Sequence, residues 1–457
     1  MGEPRMKTSC LSGLLAAVLG VALAGTAAQP SLPKIDFNGH TLPNGLRVIL
    51  APDHTAPVVA ISVTYNTGSR NERPGRTGFA HLFEHMMFQG SENVGKGEHF
   101  ILVFNNGGNM NGTTNEDRTN YFEALAKNQL DLALYLESDR MRSLVVNQAN
   151  LDNQRNAVQE ERRVGIDNQP YGKAEEEIDN LAYDNFAYKH STIGSMADLD
   201  AATVDDVKDF FRTYYAPNNA VLVLVGDFDP AEALQKVEKY FGGIPSQPAP
   251  PPVTMNEPEH YGERRETIYD PLARVPMILM AYHIPPGNTP DNYAMQVLAN
   301  VLATGESSRL YQLLVKEKQL VTKVEVQADA RRGPSLLYIL AHLRPEVKTE
   351  DVEKAIEEEI EHVQKNGITE RELEKARTQF RRSQIQSRQS DLNVAVRIGQ
   401  YAVYFNDPDL INTIFEKFNA VTADQVKQAA VKYLVPTERA VVIDLPVAKT
   451  AAAAGDN

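Results

Sequence analysis

Apolar residues along this chain fall into two patterns. Short runs such as Leu46-Arg-Val-Ile-Leu50, Val58-Val-Ala-Ile-Ser-Val-Thr-Tyr65, Ala220-Val-Leu-Val-Leu-Val225 and Ala440-Val-Val-Ile-Asp444 have the length and β-branched content of buried strands. Longer segments, among them Thr369 to Arg388, carry apolar residues at helical spacing. Both patterns occur on either side of a Pro-rich stretch, Pro245-Ser-Gln-Pro-Ala-Pro-Pro-Pro252, which suits neither a helix nor a sheet interior and reads as a stiff linker. Thr203, Asp205, Val207, Lys208, Tyr214 and Pro217 recur as Thr422, Asp424, Val426, Lys427, Tyr433 and Pro436, at a constant offset of 219. In each copy an amphipathic helix ends near the tyrosine, a proline follows, and an apolar strand comes next. The pattern predicts an α+β chain of two homologous domains, each a mixed β-sheet covered by helices. They span 33–244 and 263–446, with 245–262 as the linker.

The N-terminus has a different pattern. Arg5 and Lys7 precede an uncharged run of apolar and small residues from Leu11 to Ala24, with small-residue cleavage positions at Ala24 or Ala28. That is the organisation of a secretory signal, so residues 1–28 are expected to be removed and the remainder exported. In a Gram-negative source the compartment is the periplasm. The single cysteine, Cys10, lies in this segment, which leaves the mature chain without a disulfide, a thiolate ligand or a cysteine nucleophile. Residues from Val447 to Asn457 are small or polar and read as a disordered tail. With 457 residues, 42% of them hydrophobic and 23% charged, the body is globular in composition. A net charge of −14 argues against a nucleic-acid partner, because such affinity comes mainly from Lys and Arg on phosphates. No later apolar run reaches the roughly 18 residues of a spanning helix, so no transmembrane anchor is expected.

The candidate chemistry lies on Thr77-Gly-Phe-Ala-His-Leu-Phe-Glu-His-Met-Met-Phe88. Phe79, Leu82, Phe83, Met86 and Met87 form a core stripe at helical spacing. Beside it, His81 and His85 project from one face, one turn apart, where two neutral imidazoles can bind one Zn²⁺. Glu84 lies on the neighbouring arc, within reach of a metal-bound water. A third ligand is expected from the helix in Leu151 to Gly165. Its apolar face is predicted to hold Leu151, Ala157, Val158 and Val164, with Glu161 turned inward among them and Glu160 about 100° away. An inward carboxylate needs a cation to offset its desolvation. Gln154, on the same face, is a candidate hydrogen-bonding support for the ligands.

His81-Leu-Phe-Glu84-His85 is the inverted zinc motif His-x-x-Glu-His. With Glu161 following His85 by 76 residues, with Arg118-Thr-Asn-Tyr-Phe-Glu123, Arg155-Asn-Ala-Val-Gln-Glu-Glu161, Ser308-Arg-Leu310 and the duplicated plan, the whole mature chain resembles the pitrilysin, insulin-degrading enzyme and mitochondrial processing peptidase family. The resemblance implies a processing-peptidase-like fold and a zinc metalloendopeptidase acting on unstructured peptides. His81, His85 and Glu161 would be the ligands, and Glu84 the general base toward a zinc-activated water. It also implies that Asn109-Met-Asn-Gly-Thr-Thr114 is an edge strand near the metal, with Asn111, Gly112, Thr113 and Thr114 as substrate-binding residues. One stretch departs from the family. Active members carry an Arg and a Tyr, seven apart, in the second half. In Leu314-Val-Lys-Glu-Lys-Gln-Leu-Val-Thr322 these positions fall on Val315 and Thr322. The expectation is a catalytic subunit whose metal-free homologous partner supplies the Arg and Tyr, with Lys316 or Lys318 as alternative donors. The alternative function is a non-catalytic peptide-binding or scaffold member of the same family.

Overall fold

The computed structural model describes residues 32–258 and 262–447. The expected signal segment and the tail beyond Val447 lie outside the described residues. The first sheet comprises β1 (Asn38–Thr41), β2 (Arg47–Pro52), β3 (Val58–Tyr65), β4 (Asn109–Thr114), β5 (Thr119–Ala126) and β6 (Ala220–Gly226), in the order β1-β2-β6-β3-β5-β4. The second comprises β7 (Arg264–Asp270), β8 (Met277–Ile284), β9 (Val321–Ala328), β10 (Ser335–Leu343) and β11 (Arg439–Pro446), in the order β7-β11-β8-β10-β9. Without β1, the two orders are the same. In each half the last strand pairs parallel to the first of the five and antiparallel to the second. The recurrence seen in the sequence thus falls on one repeated topology.

The helices that shape the site are α1 (Phe79–Met86), α2 (Leu130–Ser143), α3 (Gln148–Arg162), α4 (Gly172–Ala182) and α5 (Val204–Tyr214) in the first half. In the second they are α6 (Pro290–Ala303), α7 (Thr349–Asn366), α8 (Asp391–Tyr404) and α9 (Ala423–Tyr433). The repeat extends to the caps. Thr203 and Thr422 each accept the N3 amide through their side chains, and the N3 side chains, Asp206 and Gln425, accept the Thr amide in return. The predicted Thr369–Arg388 helix runs from Glu370 to Ser387, with Thr369 as its cap.

Each sheet buries one face against helices of its own half. Val48, Leu50, Ile61 and Val63 pack with α1, α2, α3 and α5. Ile278, Met280, Leu337 and Ile339 pack with α6, α7 and α9. The opposite faces are covered by exchange. Ile49, Ala60, Val221, Val223 and Val225 pack on Val394, Ala395, Ile398 and Ala402 of α8, a second-half helix. Met277, Leu279, Ala281, Ala440 and Val442 pack on Ala174, Ile178 and Ala182 of α4, a first-half helix. Gly399 lets α8 approach β3 closely, since a Cβ there would lie 2.5 Å from Thr64 Oγ1. Burial on both faces explains why β6 is apolar at every position rather than alternating.

Polar ties cross between the halves at the β4–β5 turn. Buried Asp117 accepts from the Tyr188 hydroxyl (2.9 Å) and from the Arg332 amide (2.9 Å), and pairs with Arg70 at 3.3 Å. Asn115 bonds the Tyr404 hydroxyl at 2.8 Å. The described residues from Lys34 onward form one compact unit.

The exchange makes a prediction. If the chain is severed within Pro245–Pro252, neither fragment is expected to fold alone, because each exposes an apolar sheet face. Co-expressed, the two fragments should co-purify in equal amounts with a melting temperature near that of the intact chain. Size-exclusion chromatography and thermal melts check this, and a cooperatively folded single fragment would contradict it.

Candidate metal centre

Helix α1 opens at Gly78, which has φ +83 and no side chain to cap the first turn. Its free amides are taken instead by Glu72, whose Oε2 accepts from Gly78 (2.9 Å) and whose Oε1 accepts from Ala80 (2.7 Å). Phe79, Leu82, Phe83 and Met86 are buried in the first-half core, which orients the helix. His81 and His85 then stand side by side, ring centroids 4.8 Å apart and planes at 78°.

Glu161 arrives from the last turn of α3. Its Oε2 lies 3.3 Å from His85 Nε2 and 3.8 Å from His81 Nε2, and one donor atom from each of the three side chains lies within 4.8 Å of the other two. Tetrahedral ligands at zinc distances are separated by about 3.4 Å, so two imidazoles and a carboxylate in this array fit one Zn²⁺. The orphaned, buried His81 Nδ1 is the ring atom facing away from that centre. Burial, and then the neighbouring His85, lower the His81 pKa to about 4, which keeps it neutral and ligand-ready at pH 7.

Glu161 does not point into the core as its helical phase suggests. Its side chain is 51% exposed, and Ala157 and Val164 are exposed as well. Only Leu151, Gln154 and Val158 of that expected face are buried. The helix ends at Arg162 and continues as a π-turn, Arg163–Asp167, whose residues lie outside the core. Convergence with the histidines, rather than desolvation, is what marks Glu161. Gln154 is buried, but its carboxamide donates to Asn153 Oδ1 (2.7 Å) and not to a ligand.

Glu84 is buried and receives a hydrogen bond from Thr114 Oγ1 at 2.6 Å. Burial raises its pKa, and the Thr114 bond opposes that rise. Thr114 belongs to β4, the edge of the first sheet, whose inner side pairs with β5. Asn111, Gly112 and Thr113 lie on the same strand. A Cβ on Gly112 would sit 3.1 Å from Glu84 Cγ, so the glycine makes room for the carboxylate. Arg118 ties the strand down by donating from Nη1 to Thr113 O (2.7 Å). Sequence reasoning missed Glu72, Arg118 and the Thr114 bond. Of these, Glu72 had a signal: a helix starting on glycine needs a remote acceptor.

Val315 and Thr322 lie in the second half. Val315 is half-buried against that half's core, and exposed Thr322 donates to His342 O at 3.2 Å. A second grouping of metal-type side chains, His99, Glu123 and Glu137, is fully buried. The Arg140 guanidinium lies among them, bonding Glu137 Oε2 at 3.0 Å and covering the Tyr121 ring at 4.4 Å. A cation already occupies that cluster, which is a buried ion network of the core.

The fold and this site together define a class of protein. Residues 47–195 match the family model described as insulinase (peptidase family M16), and residues 201–380 match that described as peptidase M16 inactive domain. The chain is 30% identical over 439 residues to zinc protease PqqE of Helicobacter pylori, across 95% of this chain and 98% of the relative. It is 21% identical to the probable mitochondrial-processing peptidase subunit beta of Arabidopsis thaliana, across 89% of this chain and 78% of that one. A crystal structure of a protease from Helicobacter pylori is similar with a TM-score of 0.86 and 30% identity, covering 90% of this chain and 100% of that chain. The chain belongs to the M16 peptidase family, a family of zinc proteases, and Zn²⁺ is its metal.

The state of His81 predicts a pH response of the metal-free protein. An imidazole that titrates near 6.5 when unfolded and near 4 when folded takes up its proton first in the unfolded chain. Its contribution is therefore neutral above pH 6.5 and destabilises the fold as pH drops toward 4, by on the order of 3 kcal/mol. Urea midpoints between pH 7 and 4.5 should fall more steeply for the wild-type protein than for His81→Gln.

Proposed function

We propose that this chain is an exported zinc metalloendopeptidase that cuts unstructured peptides, and that it is the metal-bearing subunit of a heteromer. The observation that carries the peptidase reading is the placement of Glu84. Its carboxylate bonds the edge strand β4 on the helix turn that also presents His81 and His85. Zinc, when bound, supplies a lowered pKa to water and polarises a carbonyl. The chain's own groups do the rest. An extended peptide adds to the open side of β4, and main-chain hydrogen bonds along Asn111–Thr114 hold it without demanding a sequence. Glu84 accepts the proton of the attacking water and returns it to the leaving amine nitrogen. Its raised pKa suits both roles, and Thr114 fixes the carboxylate's orientation.

The heteromer reading rests on the second half. Neither Val315 nor Thr322 offers a long donor. The two lysines nearby are engaged elsewhere, with Lys316 over the Tyr311 ring at 5.5 Å and Lys318 3.9 Å from Glu358. A homologous metal-free subunit is the natural source of the absent Arg and Tyr. Export is supported by the Arg5, Lys7 and Leu11–Ala24 pattern, and the periplasm is its destination in a Gram-negative source.

The test is cleavage of a mixed library of unstructured peptides by zinc-loaded chain, read by mass spectrometry with and without a chelator. Chelator-sensitive products are expected once the homologous subunit is added. Glu84→Gln should retain zinc and lose at least about a thousandfold in turnover. Turnover by Glu84→Gln would remove the general-base assignment. Full turnover by the single chain would remove the partner.

A further inference from the structure

The three ligands come from two helices that approach from different parts of the first half, and a zinc site tolerates only a few tenths of an ångström of misplacement. What sets the spacing of those helices lies behind the site, on the segment from His190 to Ala202. At the start of α1, the Glu72 carboxylate, fully buried, caps Gly78 and Ala80 and receives His190 Nε2 at 2.9 Å. The other ring nitrogen, Nδ1, faces Phe186 O at 2.8 Å, and the ring stacks on Phe186. His190 is therefore held at both ring nitrogens, between the Glu72 carboxylate and the Phe186 carbonyl. Next along the segment, Gly194 (φ +77) packs directly on Gly78, where a Cβ would come within 2.4 Å of the Gly78 backbone. Thr77 adds its amide and hydroxyl to Asp198 Oδ2 at 2.9 and 2.5 Å.

The same segment holds α3. Arg162, the residue after Glu161, donates from Nη1 to Gly194 O at 2.7 Å and is itself clamped by Glu176 at 2.6 and 2.8 Å. About two turns earlier, Arg155 donates to Leu199 O (2.9 Å) and Ala202 O (2.5 Å). Gly194 is therefore the point where the start of the His81/His85 helix and the end of the Glu161 helix meet. None of these groups touches a ligand's donor atom.

We propose that segment 190–202 is a brace that fixes the distance between the histidine pair and Glu161, with Glu72, His190 and Arg162 as positioning residues for the metal centre. This rests on the zinc reading of the site but not on peptide cleavage. Removing a strut lets the two helices drift while the ligands remain, so the loss appears in zinc affinity and in kcat, and not in KM.

The experiment uses the full chain and measures zinc affinity by competition with a chromogenic chelator, alongside the melting temperature of the metal-free form. Glu72→Gln presents one acceptor oxygen where two amides and the His190 ring meet a carboxylate. It is expected to weaken zinc binding about tenfold, in the range seen when groups supporting metal ligands are removed. Arg162→Met, which leaves Glu72 untouched and carries the test if Glu72→Gln fails to fold, should do the same. His190→Gln, which keeps a donor toward Glu72, should recover most of the affinity that His190→Leu loses. Where turnover is measurable, kcat at saturating zinc should fall about tenfold with KM within about twofold. Wild-type zinc affinity in a folded Glu72→Gln or Arg162→Met, with only the melting temperature lowered, overturns the brace and leaves the metal reading standing. If the wild-type chain binds zinc no better than His81→Ala, the brace falls together with the zinc reading. Zinc binding without cleavage, even with the homologous subunit added, removes the peptidase reading alone.

Discussion

Neither half of this chain can cover both faces of its own sheet. The central strands β3, β6 and β8 are buried on both faces, and each half provides helices for one side of its sheet only. The other cover is the partner half's helix, α8 on the first sheet and α4 on the second. The halves are therefore conditional on each other, and the polar contacts between them, around Asp117 and Asn115, sit at an interface that hydrophobic burial has already fixed. The location of those contacts matters for chemistry. Asp117 and Asn115 belong to the turn between β4 and β5, so the second half reaches the strand that carries Thr114 through Arg332 and Tyr404 without supplying a ligand.

Within that frame the site is built from contrasts of burial. His81 and Glu84 are shielded by the core stripe of α1, while Glu161 stands half in solvent at the end of α3. Burial keeps His81 neutral and lifts the pKa of Glu84. Exposure spares Glu161 the desolvation cost of an interior carboxylate. The donor set thus combines two imidazole nitrogens with one carboxylate, a mixture that suits Zn²⁺.

Much of this was legible in the residues. The 219-residue recurrence falls on α5 and α9 and the strands after them, because capping threonines, terminal tyrosines and the following prolines are local devices that read the same in both copies. His81, Glu84 and His85 were legible for the same reason: their relation is set by one helix and its 3.6-residue period. Glu161 does converge with the two histidines, but its surroundings differ from those expected. Helical phase reports which residues share a face, and whether that face meets core or cleft depends on where the helix ends and what it faces. The exchanged helices were not legible. The stripes of α4 and α8 announce that they are buried, and nothing in them says against which sheet. Glu72 was only partly legible: a glycine at the helix start signals that a remote acceptor is needed, and nothing local says that it comes from six residues upstream.

That division explains why a chain can keep the zinc motif intact while its second half carries Val315 and Thr322. The ligand helix, its remote cap and the segment 190–202 all belong to the first half, and their contacts with one another are made there. What the second half contributes to folding, α8 and the loop of Arg331 and Arg332, is separate from the stretch 314–322, which packs on its own core through Leu314 and Val315. Substitution at 315 or 322 therefore leaves untouched both the exchange that holds the molecule together and the brace behind the metal. The two halves are bound tightly for stability, and the stretch 314–322 can change at no cost to the fold that carries the metal site.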